Sequence, residues 1–177
     1  MPAITLRPLA SPAEGEAARP LVAEYLHWVA GVAQSEYGLA FDVDAMLQSD
    51  LEDPGKFYPP TGRFYLVQAD GAPVGIGCLK QLAPGVGELQ RMYVQPQLRG
   101  AGAGRLLLQR LLEDARALGH ARVRLESLKA LGAAHGLYRS AGFRDIAPYG
   151  DNSMRDYQAA DALDAYRGSA VFMELAL

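Results

Sequence analysis

Three glycines at alternate positions are the part of the sequence most able to hold a ligand. Gly100, Gly102 and Gly104 lie between a strand-like run, Glu88 to Val94, and a helix-like run, Arg105 to Leu118. The first N–H groups of a helix lack intrahelical partners, and the helix dipole adds partial positive charge there. Glycine lets the backbone approach an anion closely because it has no Cβ. This segment therefore predicts a site for a ligand that carries a diphosphate.

Two kinds of diphosphate site can be compared with the spacing directly. A nucleoside-triphosphate loop needs Gly-x-x-x-x-Gly-Lys and then Ser or Thr, whereas Gly104 is followed by Arg105 and Leu106. A dinucleotide fold needs Gly-x-Gly-x-x-Gly after a buried parallel strand, and its acidic residue follows about 20 residues later. Glu126 meets that last condition, so an NAD-dependent oxidoreductase stays an alternative. The glycine spacing and the polar alternation of Glu88 to Val94 disfavour it, because buried parallel strands read as continuous apolar runs.

The third ligand is coenzyme A, and a family resemblance points to it. The run Arg99-x-x-Gly102-x-Gly104 resembles the loop pattern Gln/Arg-x-x-Gly-x-Gly/Ala of the GCN5-related N-acetyltransferase (GNAT) family. The overlapping run Gln97-x-x-Gly100-x-Gly102 fits the same pattern a second time.

A second motif, further along the chain, resembles the same family. Its pattern Ala-x-x-Leu-Tyr-x-x-x-Gly-Phe is matched from Ala134 to Phe143, with Tyr138 at the tyrosine position. Two motifs in the right order and at the right distance are far more specific than either alone. The resemblance covers roughly Gly62 to Pro148. It departs at Leu131, where the family often has an asparagine, so any cofactor contact made by that side chain is in doubt.

The resemblance implies acetyl-coenzyme A as cosubstrate. Backbone N–H groups of the glycine loop would hold the diphosphate, and the adjacent arginines would add charge. The preceding strand would pair with the pantetheine arm through its backbone, and one of its N–H groups would face the acetyl carbonyl, where fixed donors lower the barrier to acyl transfer. The cofactor-binding residues predicted in this way are Met92, Tyr93, Val94, Arg99, Gly100, Ala101, Gly102, Ala103, Gly104 and Arg105.

Two catalytic residues follow from the resemblance. Tyr138 matches a tyrosine that protonates the leaving thiolate in many relatives, and a phenol can donate that proton while staying mostly neutral near pH 7. Glu88 matches a position where some relatives carry a general base, which an amine needs because it is protonated at neutral pH. The alternative for Tyr138 is a core tyrosine on an apolar helix face. The alternative for Glu88 is a strand residue that faces solvent. The amine is expected to attack directly, without an acyl-enzyme.

The remaining reactive side chains indicate less. His27 and His120 are expected to be structural or solvated, and His135 lies one turn before Tyr138, so the two could share a face. The single cysteine, Cys78, is expected in the core. No spacing suggests a metal site.

Length and composition limit the class of protein. With 177 residues, half of them apolar, the chain predicts one domain over residues 1–177, which the resemblance identifies as an acetyltransferase domain. A net charge of −3 argues against nucleic acid or an anionic membrane as partner. One cysteine excludes an internal disulfide, and neither a signal peptide nor a membrane-spanning stretch is evident, so a cytoplasmic location is expected. The sequence does not decide whether the protein forms a homodimer.

The elements around the motifs predict a mixed α/β fold. Their order is βαα-βββ-αβ-αββ, and three consecutive strands favour a mixed sheet with helices on its faces. The resemblance implies a mostly antiparallel central sheet, splayed between the strands Glu88 to Val94 and Ala121 to Glu126, with coenzyme A in the gap. The segment Tyr149 to Gly168 is expected to be irregular, or to hold a short helix from Asp156 to Tyr166. Its carboxylates and tyrosines suggest that it borders the acceptor site and favours cationic amines.

Together these features predict an N-acetyltransferase that transfers the acetyl group of acetyl-coenzyme A to a primary amine of a small molecule or peptide. The alternative of another class is a non-catalytic acyl-coenzyme A sensor on the same fold. The identity of the acceptor is not readable from the sequence.

Overall fold

A single seven-stranded sheet organises the protein. The computed structural model describes residues 1–150 and 163–177, with the side chains of residues 163 and 164 left aside. The strand order across the sheet is β1-β2-β3-β4-β5-β7-β6. The strands are β1 (Ile4–Pro8), β2 (Arg63–Ala69), β3 (Ala72–Ala83), β4 (Val86–Val94), β5 (Arg122–Leu128), β6 (Arg144–Ile146) and β7 (Ala170–Ala176).

Helices cover both faces of this sheet, as predicted. They are α1 (Pro12–Gly15), α2 (Arg19–Tyr37), α3 (Val43–Glu52), α4 (Ala103–Ala117), α5 (Gly132–Ser140) and α6 (Leu163–Ser169). One buried cluster includes Val22 and Leu51 of α2 and α3, and a second includes Leu107 and Leu111 of α4. No helix in the described ranges is long and apolar enough to cross a membrane.

The sheet opens in its middle, between β4 and β5. Every other neighbouring pair of strands is antiparallel, whereas β4 and β5 are parallel and pair only over Val86–Glu88 and Arg122–Arg124. Beyond Glu88 the two strands separate. The prediction of a mostly antiparallel sheet splayed at this point is confirmed.

A β-bulge lies on the part of β4 that borders the gap. Tyr93 pairs with Ile76 and Gln90 pairs with Cys78, so Arg91 and Met92 both lie opposite one residue of β3. The backbone of Arg91 has φ +56°, which non-glycine residues seldom adopt. A bulge bends its strand and increases the local twist, which here carries β4 away from β5.

Residue types account for several local features at helix ends and turns. Ser11 and Asp42 are predicted N-caps, and their side chains accept hydrogen bonds at the starts of α1 and α3. Asp70-Gly71 is a hairpin signal, and both residues have positive φ in the tight turn between β2 and β3. Pro20 is predicted to break or restart the first helix, and it lies in the first turn of α2, where its missing N–H is not needed.

The C-terminal region agrees with the prediction in part. The sequence predicts a strand from Phe143 to Pro148, and β6 is shorter, since it ends at Ile146. The segment Tyr149 to Gly168 was expected to be irregular or to hold a short helix, and its described part contains α6, which favours the helix. Its carboxylates Asp151, Asp156 and Asp161 lie outside the described residues.

Candidate active site

A cavity of about 550 Å³ occupies the gap between β4 and β5. Its walls come from the open halves of these two strands, from α2, from the glycine loop and from the first two turns of α5. On the side facing β5, the backbone of β4 beyond Glu88 has no strand partner among residues 1–150 and 163–177. The splayed sheet thus supplies a free strand edge along one wall of the cavity.

The glycine loop lies at the mouth of this cavity. Gly100 and Gly102 have φ values of +83° and +86°, and a Cβ at either position would project into open space. The first backbone hydrogen bond of α4 runs from Leu106 N–H to the Gly102 carbonyl, over 3.0 Å. The preceding N–H groups at the start of α4 therefore have no intrahelical acceptor. Glycine is needed here for backbone conformation, and the geometry fits a bound anion.

The structure brings together six of the ten predicted cofactor-binding residues. Those that line the cavity are Met92, Tyr93, Val94, Arg99, Gly100 and Gly104. The other four lie beside it in the loop and the first turn of α4, and they are Ala101, Gly102, Ala103 and Arg105.

The side chain of Tyr93 contacts residues of α2, so its backbone is the part available to a ligand in the cavity. Its hydroxyl donates a hydrogen bond to Glu24 over 2.6 Å. Its ring centroid lies 5.5 Å from that of Tyr25 and 5.8 Å from that of Trp28. Burial, with Glu24 as hydrogen-bond partner, raises the pKa of Tyr93 to about 12. The guanidinium of Arg99 lies 5.4 Å from the Trp28 ring and extends this cluster to the loop.

Tyr138 has a ring in the core and a hydroxyl without a hydrogen bond to the described residues. The residue is 6% exposed, its ring packs against Phe143 at 5.9 Å, and it lines the cavity. Its hydroxyl makes no hydrogen bond to any of the described residues. Burial raises the pKa of Tyr138 above its usual value, so the hydroxyl keeps its proton at neutral pH. The ring of Tyr138 is therefore part of the core, and its hydroxyl is the candidate proton donor. The two interpretations of this residue are compatible.

Glu88 lies at the closed end of the gap and is fully buried. Its carboxylate accepts a hydrogen bond from the Tyr149 hydroxyl over 2.9 Å and a very short one from the Gln90 amide. Burial raises the pKa of Glu88, and these two hydrogen bonds oppose the shift. The alternative of a solvent-facing strand residue is wrong. Glu88 does not itself line the cavity, whereas Gln90 does.

Two charged residues of the cavity wall were not among the predicted acetyltransferase site residues, and Glu126 had been considered only as the acidic residue of a dinucleotide fold. Glu126 of β5 lines the cavity two residues beyond the last pair with β4. Arg91 lines it from the bulge and forms an ion pair with Asp50. A signal for Arg91 did exist, because Gln90 and Arg91 are adjacent polar residues in a strand, and alternation directs such neighbours to opposite faces. Both are buried.

The lining of the cavity does not include His120, His135 or Cys78, whereas it does include Leu131. His135 is buried and hydrogen-bonds Ser127 at 3.0 Å. His120 is buried near the C-terminal end of α4. Cys78 is fully buried, which confirms its place in the core. Leu131, at the position of the family's asparagine, lines the cavity with an apolar side chain and offers α5 no side-chain cap.

Comparison with known proteins agrees with this geometry. The model of the acetyltransferase (GNAT) family matches residues 24–143. An N-acetyltransferase of Schizosaccharomyces pombe, named as uncharacterized, is 32% identical over 123 residues, which are 66% of this chain and 76% of that protein.

Two solved structures share the fold. A GNAT-family acetyltransferase from Staphylococcus aureus superimposes over 99% of both chains with a TM-score of 0.70 and 19% identity. The PaiA N-acetyltransferase of Thermoplasma acidophilum, solved in complex with coenzyme A, superimposes over 99% of both chains with a TM-score of 0.64 and 18% identity. The family match, the yeast relative and the common fold agree with the two sequence motifs, and the chain belongs to the GNAT acetyltransferase family.

Proposed function

We propose that this protein transfers the acetyl group of acetyl-coenzyme A to a primary amine of a small molecule or peptide, by direct attack in a ternary complex. One observation carries the proposal: a single cavity joins the glycine loop, the edge of β4 that does not pair with β5, and Tyr138. Membership of the GNAT family supports it, as does coenzyme A in the related structure from Thermoplasma acidophilum.

Acetyl-coenzyme A fits the loop and the strand edge in chemistry. Its diphosphate would take the N–H groups at the start of α4, where the helix dipole favours negative charge, and Arg99 is exposed beside that position. Its pantetheine amides would pair with the free edge of β4, from Met92 to Val94, as an added strand does. The thioester supplies an activated acetyl group at the inner end of the gap.

The reaction balances with three proton transfers at the enzyme. The ammonium form of the acceptor loses one proton to a carboxylate, and its nitrogen then attacks the acetyl carbon. A C–N bond forms, the C–S bond breaks, and the thiolate takes a proton from Tyr138. The nitrogen loses its second proton, which restores Tyr138. Ammonium and thioester thus give an amide, a thiol and one released proton.

We consider two carboxylates as acceptors of the first proton. Glu126 lines the cavity and can meet the ammonium group directly. Glu88 lies behind Gln90 and can accept the proton only through an intervening group. We therefore assign direct proton acceptance to Glu126 and a relayed role to Glu88, whose raised pKa brings it closer to neutral pH.

The test is turnover of acetyl-coenzyme A with a panel of primary amines, measured as release of free thiol and as acetylated product by mass spectrometry. We expect both signals to appear together with at least one class of amine. A protein that binds acetyl-coenzyme A and releases no thiol with any amine would instead be a sensor on the same fold, and the proposal would be wrong.

A further inference from the structure

Given the transfer to an amine, on which this inference rests, we propose that the acceptor also carries a carboxylate group and that Arg91 binds it. The acceptor class is then an amino carboxylate, such as a free amino acid, rather than a polyamine or a lysine side chain.

Arg91 is a buried cation that borders the cavity. It is only 7% exposed, and its place on the bulge of β4 puts it in the cavity wall beyond Gln90. Burying a guanidinium is costly unless charged partners compensate for the lost hydration. Although burial opposes it, the charge of Asp50 raises the pKa of Arg91 above its ordinary value, so the group stays charged.

Asp50 occupies only one side of this guanidinium. The Nε and Nη2 atoms of Arg91 donate to the two Asp50 oxygens over 2.5 and 3.2 Å. Its Nη1 atom donates to no acceptor among residues 1–150 and 163–177. A guanidinium has five N–H donors in a rigid plane, and its Nη1–Nη2 edge can hold a second carboxylate while Asp50 keeps the Nε–Nη2 edge.

Asp50 also serves a second cation. Lys56 Nζ lies 2.6 Å from an Asp50 oxygen, so a single buried carboxylate shares its charge between Lys56 and Arg91. Within the described part of the chain Asp50 is the one carboxylate in ion-pair contact with Arg91. The charge of Asp50 therefore neutralises Arg91 only in part, and an anionic ligand would supply further negative charge beside the guanidinium.

The wall around Arg91 is aromatic and apolar. Tyr25, Phe41, Met46 and Tyr166 line the same cavity. Charge–charge attraction is screened less beside such surfaces than in water, which strengthens the bond between a carboxylate and Arg91. The planar fork of arginine matches the geometry of a carboxylate, which a point charge such as lysine does not.

The opposite wall carries the complementary charge. Glu126 of β5 lines the same cavity as Arg91, and it is a hydrogen-bond partner of Tyr166. The pKa of the Tyr25 hydroxyl is raised chiefly by burial, lowered by Arg91 and raised by Glu126. Tyr25 thus lies within electrostatic range of both charges. A ligand with an ammonium group toward Glu126 and a carboxylate toward Arg91 satisfies both walls, whereas a polyamine would place a cation against Arg91.

The experiment uses the whole protein and matched acceptors. Each amino acid is compared with its carboxamide and its decarboxylated amine, which keep the side chain and lose the anion. We expect kcat/KM for the acid to exceed that of the carboxamide by at least about tenfold, because a buried donor is left unpaired by the analogue. Equal or faster acetylation of carboxamides or decarboxylated amines would overturn the inference.

Two variants assign the discrimination to Arg91. Arg91→Gln removes the charge, and Arg91→Lys keeps the charge and removes the fork. In both we expect KM for the acid to rise and the acid-to-carboxamide ratio to fall toward one, with little change for the carboxamide. Arg7→Lys, at an exposed position of β1, is the control and should keep the ratio. Because both rates come from one preparation, a loss of folded protein lowers them alike and leaves the ratio unchanged.

The outcomes separate this inference from the function on which it rests. If no amine of any class releases thiol, the proposed acetyl transfer fails. If amines are acetylated without preference for a carboxylate, or if the preference survives in both Arg91 variants, the transfer stands and the role of Arg91 is wrong. The comparison of acceptors needs no variant, so it decides the substrate class even if Arg91→Gln does not fold.

Discussion

Glu88 is the register partner of Arg124, and this pair is the last one that β4 and β5 form. Two residues further along each strand, Gln90 and Glu126 line a common cavity. The sheet thus closes directly behind the proposed reaction site. Glu88 is sealed there from solvent, with Tyr149 as its hydrogen-bond donor, while Glu126 borders the open space.

The two carboxylates should differ in their effect on turnover. Glu126→Gln removes the group proposed to meet the ammonium directly, so we expect kcat/KM to fall about a hundredfold or more, the usual size of general-base catalysis. Glu88→Gln removes a relayed group, and we expect a loss nearer tenfold on the same scale. Initial rates of thiol release across pH measure both. A larger loss in Glu88→Gln than in Glu126→Gln would reverse the assignment.

Glycine at position 102 should matter for the ligand beyond its backbone conformation. Gly102→Ala places a methyl group in the open space proposed for the diphosphate, and we expect the affinity for acetyl-coenzyme A to fall about tenfold or more. Gly85→Ala is the matched control, because Gly85 has φ +76° in the turn before β4 and equally open space.

The measurement for this pair is thermal stabilisation by acetyl-coenzyme A, which follows from binding to the folded state. Both variants should lose about 1–2 kcal/mol of stability from left-handed strain. Only Gly102→Ala should lose the stabilisation, and NADH should stabilise none of the proteins. Stabilisation by NADH in place of acetyl-coenzyme A would favour the dinucleotide alternative.

Tyr138→Phe should separate chemistry from packing. The ring stays and the hydroxyl has no hydrogen bond to the described residues, so we expect stability and cofactor affinity to change little. Turnover should fall about a hundredfold, because the thiolate loses its proton donor. The pattern of a lower kcat with unchanged binding is that of a contact made in the transition state.

Tyr65→Phe is the control for Tyr138→Phe. The Tyr65 hydroxyl donates to Asp114 over 2.6 Å on the far side of the sheet from α2. Its loss should cost about 1–2 kcal/mol of stability and leave kcat unaltered. If Tyr138→Phe turns over as fast as the unaltered protein, Tyr138 is a packing residue.

Acid should destabilise the protein through His120. Burial lowers the pKa of His120 from 6.5, and its ring nitrogens have no hydrogen-bond partner in the described part of the chain. The unfolded chain therefore binds a proton that the folded one resists, so this contribution is present above pH 6.5 and is lost as the pH falls through the lowered pKa. The slope is at most about 1.4 kcal/mol per pH unit for one proton.

The comparison of His120→Gln with the unaltered protein isolates this contribution. Chemical unfolding at several pH values should give a shallower loss below pH 6.5 in the variant, while His27→Gln, at an exposed position, should follow the unaltered curve. The raised pKa of Glu88 acts in the opposite direction, since its contribution is lost as the pH rises from 4.5. That contribution is common to both proteins and cancels in the difference. Parallel curves for His120→Gln and the unaltered protein would contradict the prediction.

Much of the fold was predictable because the signals are local. The cap at Ser11, the turn at Asp70 and Gly71, and the positive φ of the loop glycines each follow from the residue types at those positions. The two family motifs placed the loop and Tyr138 in one site for the same reason. The sequence left two roles for Pro20, because proline can either break a helix or restart one, and the structure puts it in the first turn of α2.

By itself the sequence determined that the chain has three consecutive strands, a glycine loop before a helix, and Tyr138 in a second motif. Only the tertiary structure decided that Glu88 is buried, that Glu126 borders the cavity and that Arg91 lies against Asp50, 41 residues away. Backbone conformation depends on neighbours along the chain. Burial, ion pairing and the point where two strands separate depend on residues that folding alone brings together.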